Sequence, residues 1–267
     1  MFSITNLSII EFAGHDARQF LHNQLSADVL GIADQESGFA CCCNPAGRVI
    51  GLLLLCRQGD NMLAICSASL AEELEGWLKR FVFRDKVTIR LRDDLCVAGG
   101  KGDMPHSVEW ETCVGIAYPV LAADPAIAAA SDKQLARLKS AELTRGICWL
   151  APQTSAQFLP QMLAFEKIGA LSFSKGCYPG QEVIARTRYL GKLKRRAMLL
   201  RADATVEPPL MGKLNLTAGD EQWSAVIVDF AALEDDSTMV LAVARKGDDT
   251  EPRWLELEGN RIPLLAD

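Results

Sequence analysis

The sequence predicts an α+β protein, and three observations carry that prediction. Short apolar runs bounded by turn residues recur along the chain. Three stretches show helical spacing behind capping residues. After residue 188 the pattern turns wholly to short strands and turns.

Residues 5–12 read as a strand. Ala17, Phe20, Leu21, Gln24 and Leu25 then follow a helical period, with Asp16 as N-cap and Gln19 three residues on in a capping-box pattern. Residues 38–43 and 48–57 read as paired strands around an Asn44-Pro45-Ala46-Gly47 turn, and residues 61–66 as another strand. Ser69 with Glu72 opens an amphipathic helix whose apolar face is Leu70, Leu74, Trp77, Leu78 and Phe81. Residues 86–91 and 96–100 are strands, and residues 101–130 mix weak strands with an Ala-rich loop. A further helix starts at Ser131, with Gln134 three residues on, runs through Leu135, Leu138 and Glu142, and stops at Gly146. Strands at 196–201, 223–230, 239–245 and 254–257 predict a small β-barrel or sandwich. The boundary falls near Gly191, dividing the chain into 1–190 and 191–267.

With 267 residues the chain buries a substantial core, and its 49% hydrophobic and 23% charged content is that of an ordinary soluble globular protein. A net charge of −6 excludes a whole-molecule polycation, so any nucleic-acid role must rest on a local basic run. No apolar stretch has the length of a membrane span, and the N-terminus lacks the pattern of a signal peptide. The cytoplasm is therefore the expected compartment. Nine cysteines, odd in number and irregular in spacing, agree with a reducing environment. Neither they nor His15, His22 and His106 form a zinc-type spacing, and Cys41-Cys42-Cys43 reads as packing rather than a cluster site.

The chemistry-bearing stretch is Lys175-Gly176-Cys177-Tyr178-Pro179-Gly180-Gln181-Glu182. No acid follows Glu182 until Asp203, while Arg186, Arg188, Lys192, Lys194, Arg195, Arg196 and Arg201 lie between. Nearby cations favour a thiolate, and the glycines permit positive φ or close approach to the backbone. The segment reads as a loop with Cys177 at its apex, feeding a strand at 183–188 on which Arg186 and Arg188 share a face. A catalytic cysteine needs a base, and no histidine is local; a structural or substrate-positioning role for Cys177 stands beside the catalytic one. Glu182 either pairs with Arg186 or Arg188 or hydrogen-bonds loop amides. The basic run contacts RNA or an anionic ligand, or else is a charge-protected strand edge. No Walker, dinucleotide-binding or zincin motif is present.

The eight-residue motif resembles the signature of the YgfZ family, folate-binding proteins of iron–sulfur and tRNA-modification metabolism. Phe158-Leu159-Pro160-Gln161 and Gly169-Ala170-Leu171-Ser172-Phe173 resemble the family's approach to it, and Ala185-Arg186 with Lys194-Arg195 its exit. Residues 24–29 and 44–48 resemble the end of its first helix and its hairpin turn. The family is in turn similar in fold to the glycine cleavage T-protein, a tetrahydrofolate-dependent aminomethyltransferase. The resemblance implies two α+β parts around a central folate cavity and a C-terminal barrel. The aminomethyltransferases carry a carboxylate in the strand after the hairpin turn, whereas residues 48–55 here contain no acid. Two aromatic positions associated with folate fall at Leu7 and Met198.

The implied function is that of a tetrahydrofolate-binding accessory protein for iron–sulfur cluster assembly or repair, supporting tRNA thiolation by radical iron–sulfur enzymes. Cys177 is its functional thiol, in the folate cavity or at its rim. Leu7, Met198, Lys175, Gly176, Tyr178, Gly180, Gln181, Glu182 and Arg186 are its candidate folate-site residues, with no metal site. Partners are folate, in free or one-carbon form, and iron–sulfur assembly or radical proteins; a monomer is expected. Alternatives are a folate-dependent one-carbon transferase and a tRNA-binding module acting through Arg186, Arg188, Lys192, Lys194, Arg195 and Arg196.

Overall fold

The computed structural model describes residues 2–99, 108–111, 117–122, 124, 127–189, 191, 193–245, 252 and 254–264. Lys192, His106 and Cys113 lie outside the described residues.

In chain order the elements are β1 (Phe2–Ser3), β2 (Leu7–Ala13), α1 (Ala17–Gln24), β3 (Ser37–Cys43), β4 (Val49–Gln58), β5 (Asn61–Ser67) and α2 (Ala71–Lys79). Then follow β6 (Thr88–Leu91), β7 (Leu95–Gly99), β8 (Val108–Glu111), β9 (Ala117–Ala122), α3 (Asp132–Thr144) and α4 (Gln181–Tyr189). The chain ends with β10 (Arg195–Ala202), β11 (Lys213–Ala218), β12 (Glu221–Ala232), β13 (Thr238–Arg245), β14 (Trp254–Leu257) and β15 (Asn260–Pro263). The strands form a five-stranded sheet in the order β3-β4-β5-β2-β6, a four-stranded sheet β1-β7-β9-β8, and a six-stranded sheet β10-β13-β12-β11-β14-β15.

The main core is built on the five-stranded sheet, whose interior strand β4 is buried from Val49 to Cys56. Such a run, apolar at every position, suits a strand covered on both faces. Cys41, Cys42 and Cys43 are all buried within it, as packing residues. In the C-terminal sheet the strand period separates two cores. Leu241 and Val243 of β13 join the main core, while Val240, Ala242 and Ala244 pack with Leu200, Leu214, Leu216 and Ile262 on the other side.

Three local expectations need correction. Residues 183–188 are helix, not strand: α4 spans Gln181–Tyr189, with Glu182 in its first turn and Arg186 and Arg188 in its last. That charge order complements the helix dipole, and Glu182 pairs with Arg186 at 2.9 Å across one turn. Two residues apart on a helix, Arg186 and Arg188 no longer share a face. The capping box at Asp16 also fails to form, and Ser69, expected to open the second helix, lies in a short 3-10 turn just before it. The Asp16 carboxylate instead accepts from the Lys86 amide at 2.7 Å, and Ser69 bonds the Ser67 hydroxyl at 3.0 Å. The box at Ser131 and Gln134 does form. Finally, the edge strands of the C-terminal sheet meet at a single bridge, Ala202 with Leu264. No continuous ladder closes a barrel among the described residues.

Candidate functional site

The Cys177 loop is held from both sides. Lys175 is anchored to α1: its ammonium donates to the carbonyl of Leu25 at 2.7 Å and to that of His22, at the C-terminal end of the helix. It also sits 4.9 Å from the centre of the Tyr178 ring. A cation suits that helix end, but burial outweighs the favourable charges and pulls the Lys175 ammonium down to about 8. Tyr178 is buried, and its hydroxyl has no hydrogen-bond partner among the described residues. Downstream, the Gln161 amide donates to the Ile184 carbonyl at 2.7 Å, tying α4 to the segment after α3.

Gly180 closes the loop against the β3–β4 turn. Its φ is +81°, and a Cβ placed there would stand 2.5 Å from the Asn44 carbonyl oxygen and 2.6 Å from the Gly47 Cα. Gly47 has φ +74°, and its own Cβ would meet Val183 at 3.1 Å. Two turns therefore dock backbone to backbone, which glycine alone allows. Gly176 needs no such freedom, because nothing lies within 4 Å of its Cβ position.

Cys177 itself is exposed. Among the described residues no side chain hydrogen-bonds to it, and no group of three or more metal-binding side chains occurs. The cations expected to act on it are committed elsewhere: Lys175 to α1, Arg186 to Glu182, and Arg188 to the Phe173 ring at 4.0 Å. Cys41, Cys42, Cys43, Cys56, Cys66 and Cys148 are buried, and burial pushes the Cys41 and Cys66 thiols up to about 12. Brief iodoacetamide treatment of the native protein is expected to modify Cys177 first, read by peptide mass spectrometry. Equal labelling of Cys41 or Cys66 would contradict this burial pattern.

A second feature lies where the N-terminal sheet, α3 and the C-terminal sheet meet. It is a cavity of about 310 Å³, lined among others by Asn6, Ser67, Lys139, Glu142, Trp149 and Asp229. Lys139, Glu142 and Leu143 come from one face of α3. Val228 and Asp229 are adjacent in β12, yet both line the cavity. A regular strand would point them to opposite faces; the register shift between Ile227 and Asp229 permits it.

The Glu142 carboxylate is fixed within this wall. Its Oε1 accepts from the Tyr118 hydroxyl at 2.6 Å and from the Trp149 indole N–H at 2.8 Å, while its second oxygen accepts no hydrogen bond from the described residues. Burial raises its carboxyl to about 7, against the lowering effect of those two donors. Asp229 accepts from Lys139 at 2.5 Å, yet its carboxyl is also raised, because burial outweighs the neighbouring ammonium. The site thus holds two buried acids, one cation and an indole.

The predicted site residues divide between these two places. Lys175, Gly176, Cys177, Tyr178, Gly180, Gln181, Glu182 and Arg186 form the loop and the start of α4, and none of them lines the cavity. Leu7 is buried opposite Ser67 in the main core, next to the cavity-lining Asn6. Met198 stands opposite Ala242 and packs on the C-terminal core. Sequence reasoning missed Lys139, Glu142, Trp149 and Asp229 as site residues. One signal was present: Glu142 continues the stripe begun by Leu135 and Leu138, so a carboxylate sits on an apolar helix face.

The tRNA-modifying protein YgfZ of Escherichia coli O157:H7 (strain EC4115 / EHEC) is 26% identical over 283 aligned residues, covering 94% of this chain and 86% of that protein. Its counterpart of the same name in Shigella sonnei (strain Ss046) is 27% identical over 285, with the same coverage. The chain is a relative of the YgfZ proteins. Among solved structures, glycine cleavage system aminomethyltransferase T from Bartonella henselae superposes with a TM-score of 0.70 at 15% identity, over 98% of this chain and 83% of that one. This YgfZ relative therefore has an aminomethyltransferase-like fold with mixed helix and sheet. No family model matches it. No helix among the described residues is long and apolar enough to cross a membrane.

Proposed function

We propose that this YgfZ relative serves tRNA modification as a tetrahydrofolate-binding accessory protein, supporting the iron–sulfur enzymes that thiolate tRNA. The observation that carries the folate reading is the cavity with Glu142 in its wall. A pterin ring presents adjacent N–H donors on one edge, and a buried carboxylate whose second oxygen is unused by the described residues is an acceptor suited to them. The Trp149 indole supplies an aromatic wall, and about 310 Å³ is at the small end of ligand-sized cavities. A folate would bring a one-carbon unit; Glu142 would orient its ring and Lys139 would offer a cation beside it.

Accessory function rather than transfer is supported by β4, which carries no acid. At Gly51 a Cβ would stand 2.9 Å from Leu74 of α2, so the strand position is packed rather than open for a reacting carboxylate. The exposed Cys177 loop, away from the cavity lining, fits contact with a partner protein. The separate apolar core of the C-terminal sheet supports a division near Gly191 into 1–190 and 191–267. We place the protein in the cytoplasm as a monomer.

Titrating a reduced folate against the purified protein tests the cavity. Glu142→Gln is expected to weaken binding about tenfold or more, the worth of a charge-assisted hydrogen bond, while Cys177→Ala leaves it unchanged. Binding should tighten as pH rises through about 7, as the carboxyl ionises to the better acceptor. No binding, or equal binding by Glu142→Gln, removes folate from this site.

A further inference from the structure

We propose that the surface formed by Phe173, the end of α4 and the start of β10 binds an unpaired segment of RNA. The proposal rests on the tRNA-related role for its choice of polyanion, and on the following geometry for its site.

An aromatic platform is exposed there. Tyr189, the last residue of α4, is 67% exposed. Its ring meets Phe173 edge to face at 6.4 Å, and the Arg188 guanidinium lies 4.0 Å from the Phe173 centre and 5.9 Å from that of Tyr189. Rings and a guanidinium held together present the flat, sequence-tolerant surface on which unstacked bases rest.

Positive charge without partners lies alongside. Lys194, Arg195 and Arg196 are exposed, and none of these or Arg188 forms an ion pair with a carboxylate among the described residues. Arg195 faces Arg245 directly across the β10–β13 ladder, and Arg245 is exposed as well. Like charges opposite each other in a sheet cost stability. Edge protection accounts for a charge on β10, which is an edge strand. It does not account for two facing arginines beside an exposed aromatic stack. A polyanion that carries bases accounts for both.

The two halves are close. Tyr189 and Arg195 are six residues apart, so their Cα atoms are separated by at most about 22 Å, a span that a few nucleotides bridge. Phe173 is also only four residues upstream of Cys177, so their Cα atoms are at most about 14 Å apart. An acidic protein face would use the arginines but leave Tyr189 and Phe173 unexplained, which is why RNA is the favoured occupant.

Fluorescence anisotropy with a labelled oligouridine of about 12 nucleotides and with unmodified tRNA tests this. Binding is expected to weaken with salt, with a log–log slope of about −2 to −3.5 for three to five phosphates contacted on a single strand. Arg195→Glu/Arg196→Glu should reduce affinity at least tenfold, and Tyr189→Ala by about five- to a hundredfold. Lys213→Glu, an exposed change on β11, should leave it unchanged, and thermal melting verifies that each variant is folded. Three outcomes overturn the proposal: no RNA binding at about 50 mM salt, binding unaffected by the Tyr189 and Arg195/Arg196 variants, or binding of polyglutamate at these residues without RNA. Folate titration reads the cavity and anisotropy reads this patch, so failure of one reading is distinguishable from failure of the other.

Discussion

Gly180→Ala is expected to destabilise the protein by about 2–5 kcal/mol, while Gly176→Ala in the same motif shifts stability by no more than about 0.5 kcal/mol. The contrast follows from backbone geometry. At Gly180 the added methyl carbon meets three backbone atoms of the β3–β4 turn, at 2.5, 2.6 and 2.8 Å, and φ is +81°. Backbone atoms cannot swing aside as a flexible side chain can. Left-handed strain of about 1–2 kcal/mol therefore adds to an overpacking cost of about 1–3 kcal/mol. At Gly176 no described atom beyond its chain neighbours lies within 4 Å of an added Cβ, and φ is not in the left-handed range. Urea unfolding of the two variants measures the difference. A Gly180→Ala midpoint close to that of Gly176→Ala would show that the two turns do not dock as described.

The motif glycines show how much of this site was legible in the sequence. Pro179-Gly180 reads as a turn, and the resemblance of the surrounding residues locates the loop. What Gly180 touches is 133 or more positions away along the chain, in Asn44 and Gly47, and no local pattern reveals that contact. The strands of the N-terminal sheet were legible because apolar runs and turn residues mark them directly. Residues 183–188 misled because Val183 and Ile184 favour strands and the arginines alternate with smaller residues. The stronger signal was the Glu182–Arg186 spacing of one helical turn, which the structure uses. Only Ile184 of this helix is fully buried, so there is no apolar stripe to announce it. The Asp16 box failed because Asp16 found a tertiary partner in the Lys86 amide, which local sequence does not reveal.

The cavity was legible only as an anomaly, and its carboxylate gives the second large effect. Glu142→Ala is expected to be less stable than Glu142→Gln by about 2–4 kcal/mol at every pH, because alanine leaves the Tyr118 hydroxyl and Trp149 indole N–H buried without an acceptor. Glutamine retains a carbonyl oxygen for both donors and cannot ionise. The pH dependence then separates wild type from Glu142→Gln. Burial raises the Glu142 carboxyl from 4.5 to about 7, so between those values the folded protein holds a proton that the unfolded chain has lost. The stability tied to that proton is fully present below about pH 4.5 and is lost as pH rises through about 7, a fall on the order of 3 kcal/mol. Glu142→Gln lacks this fall, so it should gain on wild type by that amount between about pH 5 and about pH 8. Asp229, also raised by burial, pushes the Glu142 carboxyl further up, so the two acids titrate together in wild type. Urea midpoints across this range measure the gain. Parallel curves for wild type and Glu142→Gln would mean that the carboxyl is not held near neutrality, and would withdraw the pH-dependent acceptor on which the folate reading relies.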